Sequence, residues 1–449
     1  MALFINEKHM KSIQVGLLGI GTVGSGTFNV LARNQPEIRR RAGRGIEICM
    51  VAARNLERGR TVVGPDTPVV SDPFALVNSP DVDVVVEVMG GTTLARELVL
   101  KAIANGKHVV TANKALLAMH GNEIFAAAQA KGVMVAFEGA VAVSIPIIKA
   151  LREGLSANRI EWVAGIINGT TNFILSEMRD KGLDFDVVLK EAQALGYAEA
   201  DPTFDIEGID AAHKVTILSA IAFGTPIRFD NAYVEGIVNL AATDINYAFQ
   251  LGYRIKLLGI TKRTANGIEL RVHPTLIPVK RLLANVEGSM NGIMVKSDAA
   301  GITMYYGAGA GSEQTASAVI ADLVDVTRLL KADATQRVPY LAFQPDAMSD
   351  TPVLGMGEVV TSYYLRLNVA DEAGVLANVT SILAKAGISI DAVLQREADE
   401  VGGEGATQTD LIILTHDCAE AKMNEALAQM QALKTVLAPI VRIRKEELA

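Results

Sequence analysis

In the N-terminal part of the chain, apolar residues come in short β-rich bursts separated by stretches with helical spacing. The burst Ser12–Leu18 runs into Gly19-Ile20-Gly21-Thr22-Val23-Gly24, and the segment after it, through Leu31, repeats its apolar positions as a helix does. Further strands are expected at Ile46–Ala53, Val82–Val88, His108–Ala112 and Val133–Phe137, with helices such as Leu94–Asn105 and Gly121–Lys131 between them. Strands alternating with helices predict an α/β fold with a doubly wound parallel sheet.

After Pro146 the rhythm changes. Arg159–Ile167 reads as a strand, Thr171–Lys181 and Asp186–Gly196 as helices, and Ile209–Phe223 as a long apolar helix, which together predict an α+β domain. The turn Gly307-Ala308-Gly309-Ala310-Gly311 precedes an Ala-rich helix at Thr315–Lys331, and Pro339, Pro345 and Pro352 punctuate residues 335–358, read as a linker. Beyond it, strands at Tyr363–Ala370, Ile388–Arg396, Asp410–His416 and Val436–Arg444 alternate with helices at Val375–Ala386 and Glu420–Leu433. That order, βαββαβ, is ferredoxin-like.

Composition narrows the class. With 449 residues, half of them apolar and a fifth charged, the chain is long enough for two or three globular domains. No apolar run approaches the roughly 20 residues that span a bilayer, and Met1–Lys11 lacks the apolar core of an export signal, so no membrane partner is expected. Cys49 and Cys418 stand far apart without metal-ligand spacing, which fits a reducing, cytoplasmic setting. The formal charge is −8, and the group Arg39, Arg40, Arg41 and Arg44 sits where a helix should end, a place the helix dipole favours. Nucleic-acid binding is not expected.

The first glycine cluster has a physical use. Gly19 permits a tight turn, Gly21 lets backbone approach a pyrophosphate, and Gly24 allows close helix packing, while Thr22 and Val23 open the helix whose N-terminus faces the anion. Its place directly after the first strand is the one a dinucleotide fingerprint demands. The second strand ends at Ala52-Ala53-Arg54-Asn55, with no acid for ribose hydroxyls, and Arg54 suits a 2′-phosphate, so NADP is favoured over NAD. Gly90-Gly91-Thr92-Thr93 and Thr111-Ala112-Asn113-Lys114 follow the third and fourth of the strands above at the carboxyl edge of the sheet, where ligands collect; Thr92 or Thr93 would equally serve as a helix cap.

The stretch Ala192–Lys214 is dense in acids: Glu199, Asp201, Asp205 and Asp210 precede Lys214. Asp210 and Lys214 are four apart and share a helix face, where a carboxylate can hold an ammonium; spacing alone equally describes an ordinary surface ion pair.

Here the sequence resembles the homoserine dehydrogenase family. The run Ala192, Gly196, Asp201-Pro202, Asp205, Gly208, Asp210 and Lys214 fits that family's signature, and Gly19–Gly24, Thr111–Lys114, Ile167–Asn172 and Gly307–Ser317 extend the likeness. The resemblance implies reversible oxidation of L-homoserine to L-aspartate 4-semialdehyde with NADP or NAD, on the route to threonine, methionine and isoleucine. It implies Lys214 as general acid and base, with Asp210 and Lys114 beside it, and Glu199, Asp205 and Lys114 binding substrate. It assigns the cofactor to Gly19, Gly21, Thr22, Val23, Gly24, Arg54, Thr92, Lys114 and Gly311. It also implies a monovalent cation, Na+ or K+, held by Glu138, Val141, Val143 and Ile145 mainly through backbone carbonyls. Two departures stand out: Val143 and Ser144 replace small residues or glycines, and Gln314 replaces a proline.

The tail resembles an ACT domain, with Asp371, Gly374, Val375 and Leu376 at the turn expected to hold an amino-acid effector, threonine. The resemblance thus divides the chain into a Rossmann-type nucleotide domain (1–146, closed by the helix of 312–334), a catalytic and dimerisation domain (147–311), the linker and the regulatory tail (359–449). A homodimer or homotetramer is implied, and a tail removable with catalysis spared. Two other classes compete. A dinucleotide-binding sensor without turnover would not need Glu199, Asp210 and Lys214 together, and an acyl-forming aldehyde dehydrogenase would need a nucleophilic cysteine, whereas Cys49 falls on a strand of the nucleotide sheet.

Overall fold

The computed structural model describes residues 11–396 and 407–449. The export-signal reading of the N-terminus therefore rests largely on residues outside that range. The chain divides into two compact units. One comprises Met1–Val163, His213–Asp230 and Ile293–Asp350; the other comprises Ala164–Ala212, Asn231–Gly292 and Thr351–Ala449.

The first unit is built on six parallel strands: β1 (Ile13–Leu18), β2 (Ile46–Ala52), β3 (Val69–Val70), β4 (Val84–Glu87), β5 (His108–Thr111) and β6 (Val135–Ala136). Their order is β3-β2-β1-β4-β5-β6, so the winding reverses between β1 and β4. Val84, Val85 and Val86 are all fully buried, as a strand covered on both faces requires. Helix Ser312–Leu329 packs Ala316, Val319, Ile320 and Leu323 into the same core as β1. Ser312 donates its hydroxyl to the Thr22 carbonyl (2.7 Å), tying the start of that helix to the first glycine turn. Helix Lys114–Lys131 begins earlier than expected because Asn113 caps it, accepting from the Leu116 amide at 3.1 Å. The arginine group lies in helix Gln35–Ala42, which ends on left-handed Gly43; Arg40 and Arg41 pair with Glu37 on its exposed face.

Strands β7 (Ile160–Ile166), β8 (Tyr233–Val234), β9 (Tyr253–Arg263), β10 (Ile268–Pro278), β11 (Met290–Ser297) and β12 (Gly301–Ala308) follow, and β8 to β12 were not expected from the hydrophobic pattern. The tail adds β13 (Val360–Ala370), β14 (Ile390–Gln395), β15 (Gln408–Thr415), β16 (Cys418–Ala419) and β17 (Val441–Lys445), with helices Val375–Lys385 and Glu420–Gln431 in the expected ferredoxin-like sequence.

Within the second unit one sheet runs β9-β10-β17-β13-β15-β14. The tail's last strand is the joint. It pairs antiparallel with β13 and, on its other edge, parallel with β10, Thr275 opposite Arg444 and Leu276 opposite Lys445. The segment read as a linker is also tied down near its end, where the Ile268 amide donates to the Pro352 carbonyl (2.9 Å) and the Leu354 amide to that of Ile268 (2.8 Å). The seam between β10, helix Ala242–Gln250 and the tail is charged and buried. Arg271 holds Glu269 (2.8 Å) and Glu446 (2.6 Å). Asp244, with no exposed surface, receives Arg366 through two bonds (2.6 and 2.9 Å) and the Tyr364 hydroxyl (3.0 Å).

Candidate active site

At the carboxyl edge of the parallel sheet, β1 ends at Leu18 and Gly19 turns with φ +101° into helix Thr22–Arg33. A Cβ on Gly24 would lie 2.1 Å from the Gly19 carbonyl oxygen, so only glycine lets the helix start this close to the strand. Across the point where the winding reverses, Glu87 ends β4 fully buried. Its carboxylate accepts the Met89 amide (3.0 Å), the Gly90 amide (3.3 Å) and the Thr111 hydroxyl (2.7 Å). Burial pushes its pKa up, and those three bonds oppose the shift. Asn113 donates to the Gly91 carbonyl (2.7 Å), so one buried acid and one amide hold both loops of this edge together. The expected alternative role for Thr92 is not used: it stands at the helix N-cap without a side-chain capping bond among the described residues.

A cavity of about 640 Å³ opens here, lined by Gly19, Gly21, Arg54, Asn55, Arg58, Ser71, Gly90, Gly91 and Thr92 among others. Such a volume suits a cofactor-sized ligand. Gly19, Gly21, Arg54 and Thr92 were expected in it; Thr22, Val23 and Gly24 form the helix start behind the turn, and Gly311 caps the returning helix next to Ser312. Lys114, half-buried, opens the helix after Asn113 and does not line this cavity. Arg58 and Ser71 were missed. Arg58 was legible in principle, because Asn55 caps its amide (2.9 Å) and so turns a helix start, with Arg58 in its first turn, toward the end of β2.

In the second unit two acids of the signature run are brought together by Asn168, a residue of the Ile167–Asn172 segment to which no role was assigned. Asn168 spends one N–H on Asp205 Oδ1 (2.6 Å) and the other on Asp210 Oδ2 (2.8 Å), while its Oδ1 caps helix Gly169–Lys181 through the Thr171 amide (2.8 Å). Thr170 donates to the Tyr197 carbonyl (2.8 Å), and the Tyr197 ring stacks on Phe173 at 4.2 Å. Glu199 is exposed on the loop beyond, whose backbone is pinned by Gln193 donating to its carbonyl (3.1 Å). Asp201 stands apart from this group, receiving the Thr203 hydroxyl and amide, which hold its pKa down.

Asp210 and Lys214 lie on helix Ile209–Phe223 and are 3% and 6% exposed. The ordinary surface pair is thereby excluded, since burying two ionisable groups in an apolar helix is costly without a use or a network.

The loop expected to hold a cation places Glu138 at 3% exposure, its two oxygens accepting the Ile148 and Lys149 amides (both 3.0 Å). Burial pushes its pKa up to about 7, against the pull of those amides. Ala142 and Val143 both have positive φ, +52° and +46°, so β-branched Val143 occupies a left-handed conformation that glycine would adopt without strain. Val141 and Ile145 are buried on either side. Among the described residues no group of three or more His, Cys, Asp and Glu is arranged to bind a metal. In the tail, Gly374 (φ +93°) caps the helix that begins with buried Val375 and exposed Leu376, and the Asp371 amide bonds the Thr407 carbonyl at 2.9 Å.

Comparison with known proteins decides the family. Residues 19–138 match the homoserine dehydrogenase NAD-binding domain, 146–324 match homoserine dehydrogenase, and 363–434 match the ACT domain. A homoserine dehydrogenase of Pseudomonas aeruginosa is 61% identical, over 98% of this chain and 100% of its own. The chain belongs to the homoserine dehydrogenase family. It is an oxidoreductase with a Rossmann-like NAD-binding domain, a catalytic domain and an ACT domain. The crystal structure of a homoserine dehydrogenase from Thiobacillus denitrificans superimposes with a TM-score of 0.93 at 64% identity, covering 98% of this chain and 99% of that one. A hyperthermophilic archaeal homoserine dehydrogenase in complex with NADPH superimposes with a TM-score of 0.61 at 25% identity, over 72% of this chain and 100% of its own. Among the described residues no helix is long and apolar enough to cross a membrane.

Proposed function

We propose that the chain interconverts L-homoserine and L-aspartate 4-semialdehyde with NADP, on the route to threonine, methionine and isoleucine. One observation carries the reading: Asn168 gathers Asp205 and Asp210 at the start of the helix that bears buried Lys214. When bound, the nicotinamide supplies the hydride acceptor. Lys214 takes the proton of the homoserine hydroxyl as the hydride leaves, and returns it to the aldehyde oxygen in the reverse direction. Asp210 and Asp205 receive the polar groups of the substrate, and Glu199 closes on its ammonium from the loop. Lys114, at the first position of its helix, meets the substrate carboxylate. Gly19, Gly21, Thr22, Val23, Gly24, Thr92 and Gly311 hold the pyrophosphate end.

The preference for NADP is supported by the absence of an acid at the end of β2 and by Arg54 and Arg58 lining the cavity there. A carboxylate and a loop turned by two left-handed residues suit a hard monovalent cation, Na+ or K+, at Glu138, Val141, Val143 and Ile145. The tail binds threonine at Asp371, Gly374, Val375 and Leu376 and lowers activity when occupied. The protein works in the cytoplasm as a homodimer or homotetramer. The domain boundaries are those of the family likeness: nucleotide domain to 146, catalytic domain 147–311, linker 335–358 and tail 359–449.

The deciding test is Lys214→Ala, followed at 340 nm with homoserine and each cofactor. General acid–base help is worth roughly 10²–10⁴-fold, so turnover should fall by that order while the folded fraction stays constant. Near-normal turnover in a folded variant removes Lys214 from the chemistry.

A further inference from the structure

Arg444, on the tail's last strand, has no exposed surface. Its guanidinium donates to both Glu420 oxygens (2.7 and 2.5 Å), which lie within the tail, but its remaining reach is spent on the middle of the chain. Nη1 donates to Glu235 Oε2 (2.7 Å), Nη2 to the Tyr233 hydroxyl (3.0 Å), and the group lies 4.8 Å over the Tyr233 ring. The Tyr233 hydroxyl itself donates to Glu235 (2.7 Å), which closes the arrangement.

Glu235 leads directly to the acids of the site. Its amide donates to the Val272 carbonyl (2.8 Å), and two residues on the Ile237 amide donates to the Ile206 carbonyl (2.8 Å). Between them Gly236 is pressed so closely that a Cβ there would meet the Ile206 oxygen at 2.2 Å and Glu207 Cα at 2.5 Å. Ile206 follows Asp205, which Asn168 holds together with Asp210. From the tail's guanidinium to the first acid there is one carboxylate side chain and a short run of hydrogen-bonded, closely packed backbone.

We propose that Arg444 is a positioning residue for the Asp205–Asn168–Asp210 group, so that the tail's last strand completes the substrate-binding half of the enzyme. The inference rests on reading Asp205 and Asp210 as substrate-binding. An order-of-magnitude argument supports it: displacement of a binding group by about 1 Å costs roughly a hundredfold in rate, and the acids here are joined to Arg444 by consecutive hydrogen-bonded contacts. Loss of one arm of a buried charge network also leaves Glu235 and Tyr233 without their shared donor.

The test uses the full chain with Arg444→Met, Arg444→Lys, Glu235→Gln and the Arg444→Met/Glu235→Gln pair, measuring kcat, the KM of homoserine, the KM of NADP+ and the melting temperature. Positioning predicts that Arg444→Met raises the homoserine KM roughly ten- to a hundredfold and leaves the NADP+ KM within about twofold. Arg444→Lys should recover part of the loss, Glu235→Gln should shift the same constant in the same direction, and the pair should be no worse than Arg444→Met alone because both act through one contact. A lower melting temperature with both KM values unchanged, or with both raised alike, reduces Arg444 to packing and overturns the proposal. Should Arg444→Met fail to fold, Glu235→Gln and Arg444→Lys decide by the same criteria. Asp210→Asn and Glu199→Gln run alongside. If they impair homoserine kinetics while the Arg444 and Glu235 variants do not, only the positioning role falls; if they too are normal, the site reading falls and takes the positioning role with it.

Discussion

The candidate sites of the two units are built in opposite ways. In the parallel sheet the site is made mostly of backbone: glycine turns at the ends of β1 and β4, an amide cap from Asn113, and one buried acid, Glu87, tying two loops. In the second unit the proposed site is made of side chains, and the middle of the chain is joined to its tail by buried charges, Arg271 and Arg444 on the strands and Asp244 on helix Ala242–Gln250. A backbone site is legible from a short motif and tolerant of distant change. A side-chain site supported through a seam is exposed to damage far from the chemistry.

Truncation after Met356 breaks this comparison most directly. It strips β10 of its β17 partner and leaves Asp244, wholly buried, without Arg366 and Tyr364; an uncompensated buried charge costs about 3–5 kcal/mol. We expect the truncated chain to lose homoserine turnover and to aggregate, while the nucleotide unit keeps its affinity for NADPH by fluorescence titration. A soluble, active fragment would show that the tail is the removable module its ferredoxin-like pattern suggests.

A smaller effect, confined to the other unit, is expected from Gly24→Ala. The added methyl overlaps the Gly19 carbonyl, an overpacking cost of about 1–3 kcal/mol, so the NADP+ KM should rise while the homoserine KM holds. Equal changes in both constants would mean that the two halves do not separate as described.

The pH dependence sharpens the contrast further. His108 is buried in β5, its Nδ1 accepts the Met134 amide (2.9 Å), and burial, then the charge of Arg337, holds its pKa down from 6.5 to about 4. The unfolded chain binds a proton at this residue that the folded one refuses between those values. Its contribution to stability is therefore intact above pH 6.5 and lost as pH falls toward 4, on the order of 3 kcal/mol in full. Denaturant titrations at pH 7 and pH 4.5 should show the nucleotide unit weakening, and His108→Gln should flatten that slope. An unchanged slope in the variant would place the acid sensitivity elsewhere.

How much could be read in the chain beforehand follows the same division. The strands of the nucleotide sheet announce themselves because Val84 to Val86 and their counterparts are uniformly apolar, and the turn at Gly19–Gly24 has one steric solution. Strands β9 and β10 did not, because Lys256, Arg271 and His273 interrupt their apolar runs while being as buried as the residues around them. Periodicity assumes that charge faces water, and here the charges face one another. Lys256 shows the cost: burial lowers its pKa to about 8 despite Glu287 beside it, and it donates to Asn172 (3.0 Å) and the Val286 carbonyl (2.7 Å). In the acid-rich run the residue types were visible, and so was the likeness that gave them roles. The part played by Asn168, set well before the acids, was not, since an asparagine ahead of a helix reads first as a cap, and it is that too. The tail's secondary structure was legible, but the parallel bond from β17 to β10 was not, because nothing local marks which outer edge a strand will find.

That parallel bond has a consequence for how the molecule is made. On a ribosome the β1–β6 sheet, apart from its returning helix, can assemble as soon as its own segments emerge. The β10 edge must wait, through the synthesis of everything between, for β17 to appear, and in that interval it presents unpaired amides and buried-type charges to its surroundings. The second half of the protein is thus the part whose edge stays open longest during synthesis.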